Sequence, residues 1–404
     1  MENNKKLKVV FVTSDTKIVT GGPVCLLNYL RNAPKNIDIS IIEFKNPHVS
    51  SDYNLDYSNI LSSKDFNYTG ITLPKILSNT NKSIMFRALK VFGLNFIYPL
   101  YFKVKHRRLL EITKKADIIY FISHIFIPLF KYNGNIVFAA GHSFVWESAL
   151  GTKISLSNKV KSFFTINFKL NSINAFHFLS DRDKQYLNNS RLKISNRIKY
   201  KVVLPNGVDT DIFYPIKEYN KSKKVKFLFL PARECKGVKI VIEAWKRIKD
   251  KSNMELHIAG GGDLAEYVRK EAEMSNFIYH GVLPLDELAE LYRSCDVFVY
   301  PTGCDTFGLV VLEALSSGLY VIASESLRGI FDDFEKLNYL EYQPRDSEVI
   351  ANRMEEIVKD KDILNHDRMK QYQHVKDNYS WEIISKKLFD FFFEAAKKED
   401  RNSF

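Results

Sequence analysis

Two acids eight positions apart, Asp305 and Glu313, flank the start of an apolar run. From Cys304 the chain reads CDTFGLVVLEALSSGLYVIAS, a helical pattern with a stop at Gly318 and then a β-branched strand. An unpaired carboxylate in an apolar site is costly. Glu313 therefore needs a cation or hydroxyl inside the protein, or a ligand that supplies one. The N–H groups of Gly308, Leu309 and Val310, next to Phe307, are the orphan donors of the helix start. Aligned with the helix dipole, they form an anion site. A diphosphate there would set one flank near Asp305 and the other near Glu313. Flanks bearing hydroxyls, a sugar on one side and a ribose on the other, would give both acids partners.

Four other stretches bear on the same chemistry. Arg233 and Lys236, in PARECKGVKIVIEAW, follow an apolar strand and precede a helix. A guanidinium fork and an ammonium point charge suit a diphosphate; the competing reading is surface cations paired with Glu234 or Glu243. Gly260, Gly261 and Gly262 in HIAGGGDLAEYV allow a flat ligand to approach, with Asp263 as the expected helix N-cap. Gly281 and Val282 end a further strand. Near the N-terminus, Gly21 and Gly22 open a helix with Pro23 in its first turn, where backbone N–H groups could meet an anion. GxGxxG is absent, so that loop is weak evidence on its own.

The elements that must position these residues alternate. Strands are expected at 8–13, 37–44, 117–122, 136–140, 175–179 and 201–204. A turn-rich polar passage, PNGVDTDIFYPIKEYNKSKK, follows as a linker. A second series is expected at 225–230, 255–259, 277–280, 296–300 and 320–323, with helices at 238–249, 264–274, 285–294 and 308–317. Apolar strands alternating with amphipathic helices predict parallel sheets covered on both faces. Two such series make an α/β chain of two Rossmann-like domains, with the site at the carboxyl ends of strands and in the cleft between domains.

The chain's 404 residues suffice for two cores. Its four cysteines, Cys25, Cys235, Cys295 and Cys304, are far apart with no CxxC pair. That argues against a zinc site and a disulfide framework, and predicts a reducing cytoplasm. The start, MENNKKLKVVFVTSD, reads as a first strand rather than a signal peptide. The net charge of +12 is uneven. Residues 82–115 hold nine Lys/Arg against Glu111, and residues 153–201 hold eleven against Asp181 and Asp183. The basic excess therefore lies in the first half and points to an anionic partner, or to plain solvated lysine. No window spans a bilayer; IMFRALKVFGLNFIYPLYFKVKHRR suits either a segment lying on an anionic membrane or a helical hairpin packed on its own domain.

With these residues in view, the chain resembles the retaining GT-B glycosyltransferases that carry an E-x7-E motif, family 4 of their classification. The motif is Asp305-x7-Glu313, and LPNGVDTDIFYP, ARECKGVKIVIEAW, LHIAGGGD, HGVLPLDELAELYRSCDVFVYPT and TGGPV fall in the family's order. The resemblance is strong over 203–324 and weaker before. It implies an N-terminal acceptor domain at 1–203, a nucleotide-sugar domain at 204–380, and a C-terminal helix at 381–404 packing back on the first. It further implies that Arg233 and Lys236 hold the donor diphosphate, that Glu313 takes ribose hydroxyls, and that Asp305 takes those of the transferred sugar. The amides at Gly308, Leu309 and Val310, beside Phe307, would bind phosphate, the Gly281–Val282 backbone would meet the base, and Gly21 and Gly22 would face the phosphates. His142, in AAGHSFVWES, matches a cleft histidine beside the sugar, or is a plain loop residue.

The implied reaction is transfer with retention from a UDP- or GDP-linked sugar to a glycan or lipid-linked acceptor, in cell-surface polysaccharide or glycoconjugate synthesis. No metal and no cofactor beyond the sugar nucleotide is expected, and no nucleic acid. The expected location is cytoplasmic, peripheral on the inner membrane face. Asp305 stands where the family has Glu, and Tyr320 where it has Pro. Three other readings stay open: a sugar-nucleotide epimerase on the same fold, a dinucleotide oxidoreductase, and a non-catalytic basic protein binding membranes or nucleic acid.

Overall fold

The structure, a computed structural model, describes residues 6–14, 21–45, 66–72, 98–122, 124–130, 134–141, 172–189, 198–216 and 224–402. The chain divides into two compact units. One comprises Met1–Trp146, Thr152–Pro205 and Ile384–Phe404, the other Glu147–Gly151 and Asn206–Ile383.

In the first unit, β1 (Leu7–Ser14), β2 (Ile37–Lys45), β3 (Asn67–Thr72), β4 (Ile118–Phe121), β5 (Ile136–Ala140), β6 (Ala175–Phe178) and β7 (Tyr200–Val203) form a sheet in the order β3-β2-β1-β4-β5-β6-β7. Every pairing is parallel. The inner strands β4, β5 and β6 are buried along their whole length, as sheets covered on both faces require. The sequence pattern missed β3, whose NYTGIT is exposed at most positions because it is an edge. Phe392, on the final helix Trp381–Asn402, packs against Tyr120 and Phe138, with centroids 5.7 and 5.2 Å away. The aromatic face of that helix is therefore part of the first unit's core.

In the second unit, β8 (Val225–Phe229), β9 (Met254–Ile258), β10 (Ile278–Tyr279), β11 (Val297–Tyr300), β12 (Tyr320–Ser324) and β13 (Leu340–Gln343) run in the order β10-β9-β8-β11-β12-β13, again all parallel. Here the missed strand is the other edge, β13. The order brings the carboxyl ends of β10, β9, β8 and β11 side by side along one rim. The opposite end of β11 is held by a buried ion pair. Arg368 Nη2 lies 3.1 Å from Asp296 Oδ1, while Asp296 Oδ2 accepts the Lys226 N–H at 2.9 Å.

Candidate functional site

The loop after β8 turns through a short 3-10 segment, Glu234–Lys236, to Gly237 and the helix Val238–Arg247. The loop after β11 runs from Pro301 to Gly308, the N-cap of the helix Leu309–Ser316. Because β8 and β11 are neighbours, these loops meet. Lys236 Nζ pairs with Asp305 Oδ1, both side chains being about 15% exposed. Tyr300 donates its hydroxyl to Asp305 Oδ2, and Thr302 Oγ1 lies 3.3 Å from the same oxygen. Burial above all, then the Asp305 carboxylate, pushes the Tyr300 phenol far above its usual range. The phenol therefore stays protonated and donates.

The sequence had not disclosed that Asp305 carries three protein partners. Nor did the cations pair as the surface reading required. Glu234 is bound by Lys239 at 2.8 Å and Glu243 by Lys246 at 3.4 Å. Arg233 is exposed and forms no ion pair among the described residues.

Glu313 sits one helical turn inside the helix Leu309–Ser316, between buried Leu312 and Ala314. Its partner in the protein is a hydroxyl. Tyr292, on the helix Leu285–Ser294, donates to Glu313 Oε2 at 2.9 Å and also reaches the Val310 carbonyl at 3.3 Å. No cation pairs with Glu313 among the described residues. Burial pushes the Glu313 carboxyl up to about 7, against a smaller downward pull from Tyr292. Both tyrosines read in sequence as ordinary core aromatics, and nothing in their spacing marks them as hydroxyl donors.

The helix over Glu313 starts without a side-chain cap, because Gly308 at φ 89° is its N-cap. A non-glycine residue is strained at that angle. Among the described residues, no side chain is seen to cap the first-turn N–H groups of Leu309 and Val310. Phe307 is 2% exposed, with its ring edge-on to Phe331 at 5.1 Å, so its side chain belongs to the core.

Along the rim, Gly260 N–H reaches the Gly281 carbonyl at 2.6 Å, and Val282 beyond it is exposed. Two of the three glycines lie against the loop after β8: a Cβ at Gly260 would lie 3.1 Å from Pro231 Cβ. A Cβ at Gly262 would lie 2.3 Å from the Ala232 carbonyl oxygen. Asp263 is not the expected N-cap: the helix Ala265–Ser275 is capped by Leu264, and Asp263 Oδ1 accepts the Glu234 N–H at 3.3 Å. That bond ties the β9 loop to the β8 loop.

The cysteine expectation is corrected as well. Cys235 and Cys304 form a disulfide, with Cα atoms 5.6 Å apart. Their separation of 69 residues hid a contact that strand order creates.

In the first unit, Gly21 and Gly22 are the first residues of the helix Gly21–Arg31, and a Cβ on Gly22 would sit 3.0 Å from Ile122 Cγ2. His142 lies outside the described residues.

Residues 213–375 match the family described as glycosyl transferases group 1. An uncharacterized glycosyltransferase of Methanocaldococcus jannaschii is 28% identical over 171 residues, 41% of this chain and 44% of that one. The phosphatidyl-myo-inositol mannosyltransferase of Mycobacterium tuberculosis is 27% identical over 202 residues, 46% of this chain and 52% of its own. The aligned region thus spans about half the length of these relatives. The sucrose-phosphate synthase structure from Thermosynechococcus elongatus superposes with a TM-score of 0.73 at 16% identity, covering 96% of this chain and 99% of that one. The two parallel-sheet units are those of the GT-B fold.

Proposed function

We propose, from the match of residues 213–375 to the glycosyl transferases group 1, that the protein is a retaining, metal-independent glycosyltransferase. It moves a sugar from a UDP- or GDP-linked donor to a glycan or lipid-linked acceptor in polysaccharide or glycoconjugate synthesis. The observation that carries this reading is the rim of the second sheet. Two loops from adjacent strand ends set Lys236 against Asp305, leave Arg233 free of ion pairs among the described residues, and start the helix of Glu313 without a side-chain cap.

In this reading the donor diphosphate lies against the first turn of the helix Leu309–Ser316, between Arg233 and Lys236. The C1–oxygen bond to the β-phosphate breaks, and its electron pair stays on the diphosphate. Fixed cations and helix N–H groups stabilise that charge without reorganising. The acceptor oxygen bonds to C1 on the same face, and its proton passes to the departing phosphate oxygen. Glu313 holds the ribose hydroxyls and Asp305 those of the sugar. Gly281, Val282, Gly21 and Gly22 are proposed donor contacts, and His142 a sugar-side residue.

The acceptor's class is supported by the charge and surface of the first unit. Helices Tyr98–Lys105 and Arg107–Lys114 expose Tyr101, Val104, Arg107, Arg108 and Lys114, with Val104 80% exposed. Basic and apolar groups exposed on two consecutive helices suit an anionic lipid interface. Among the described residues, no helix is long and apolar enough to cross a membrane.

The test is turnover with a panel of nucleotide sugars in excess EDTA, with the product anomer assigned by NMR. The reading predicts acceptor-dependent nucleoside diphosphate release and an unchanged anomeric configuration. Inversion, loss of activity with EDTA, or interconversion of the donor sugar without transfer would reject it.

A further inference from the structure

The disulfide joins the residues immediately before the two groups that the proposed function uses most directly. Cys235 precedes Lys236 and Cys304 precedes Asp305, and the side chains of Lys236 and Asp305 pair. Beside that bond the Gly303 N–H donates to the Cys235 carbonyl at 2.9 Å, and Arg345 Nε donates to the Pro301 carbonyl at 3.0 Å. The bridge is accessible: Cys235 is exposed and Cys304 partly so. The other two cysteines differ. Cys25 and Cys295 are fully buried, and burial pushes the Cys295 thiol up to about 12. Buried thiols of that kind are inert, whereas an accessible pair exchanges with external thiols.

We propose that the Cys235–Cys304 bond is a reversible clamp on the donor site, resting on the function proposed above. The closed bond holds Lys236 on Asp305, so the diphosphate cation and the sugar acid are set before the donor arrives. Opening it separates the two loops' anchors and weakens donor binding. The opening reagent is a small dithiol. One of its thiolates attacks the exposed Cys235 sulfur, the sulfur–sulfur bond breaks, and Cys304 leaves as a thiolate that takes a proton. The dithiol's second thiol then displaces Cys235 and closes the reagent's own disulfide. Two electrons and two protons pass to the protein.

The experiment uses the full chain in oxidised form and after dithiothreitol, with bond state fixed by mass spectrometry of the linked peptides. It reads two quantities: acylation of Lys236 by an amine-reactive ester, and the donor KM against kcat. The clamp predicts that reduction speeds Lys236 acylation at least about fivefold and raises KM about fivefold with a smaller change in kcat. Oxidised dithiothreitol should restore both values. Cys235→Ser and Cys304→Ser should sit at the reduced values and ignore the reagent. A protein purified without reductant that lacks the bond overturns the clamp, as do equal acylation rates in the two verified states. Absence of turnover in both states, with Lys236 acylation still redox-dependent, would instead reject the transferase reading and keep the clamp.

Discussion

A carboxyl that titrates near neutrality links the site to pH. Glu313 is held up to about 7 by burial, whereas in the unfolded chain it titrates in the ordinary carboxyl range. The folded state therefore binds an extra proton between those values, and stability contributed by the neutral form is lost as pH rises through that window. Glu313→Gln should remove that slope, so wild type loses melting temperature relative to the variant between about pH 5 and pH 8. Scanning calorimetry across that range checks it; parallel curves would contradict the raised carboxyl. Binding runs the other way. Ribose hydroxyls bond best to a carboxylate, so nucleoside diphosphate affinity should rise over the same range more in wild type than in Glu313→Gln.

Asp305 allows a sharper separation. Tyr300→Phe removes one donor from its carboxylate, a loss of about 1 to 2 kcal/mol where the group is partly buried. Nucleotide-sugar KM should rise several-fold while affinity for the sugarless nucleoside diphosphate stays within about twofold. Steady-state kinetics beside calorimetric titration decides this, and equal losses for both ligands would place Asp305 on the nucleotide rather than the sugar.

Among elements, the loops after β8 and β11 hold the site and the ends of β11 divide the labour. A Cβ at Gly237, where φ is +95°, would lie 2.3 Å from the Pro301 carbonyl oxygen. Gly237→Ala must push the two loops apart, at about 1–3 kcal/mol for overpacking plus strain. It should lose donor affinity along with stability. Arg368 lies at the opposite end of β11, where its removal takes the cation from the buried Asp296 carboxylate at about 3–5 kcal/mol. Arg368→Met should therefore lower the melting temperature and leave donor KM unchanged. Thermal melts and kinetics on both variants test the contrast; a donor KM shift in Arg368→Met would break the division.

The sequence made these elements legible unevenly. Central strands such as VFVY and FLF are apolar runs bounded by turn residues, so period and punctuation located them. The edges β3 and β13 escaped because NYTGIT and LEYQ are half polar, as strands with one open side are. The candidate site residues are chosen from the loops that carry them. Their pairing could not be read in sequence, since Lys236 and Asp305, like Cys235 and Cys304, are 69 residues apart and meet only through strand order. Tyr292 and Tyr300 stayed hidden because a buried donor and a buried core ring look alike in sequence.

At the scale of the whole molecule, the chain sorts its charge. The two basic segments fall in the N-terminal half and the remaining sequence is net acidic. If the basic, apolar helices of the first unit meet an anionic bilayer, flotation with vesicles containing phosphatidylglycerol should carry the protein upward at low salt and lose it steeply as salt rises. Charge reversal at Arg107 and Arg108 should abolish flotation without altering nucleoside diphosphate affinity. Flotation indifferent to salt and to these changes would remove the membrane from the account.

In the proposed function the rim of the second sheet binds a nucleoside diphosphate through Lys236 and Glu313. Calorimetric titration of UDP and GDP into wild type, Lys236→Ala and Glu313→Gln measures this. Wild type should bind one of the two, and each substitution should weaken it by roughly tenfold or more, about 1.4 kcal/mol. Binding of neither nucleotide, or equal affinity in all three proteins, would contradict it.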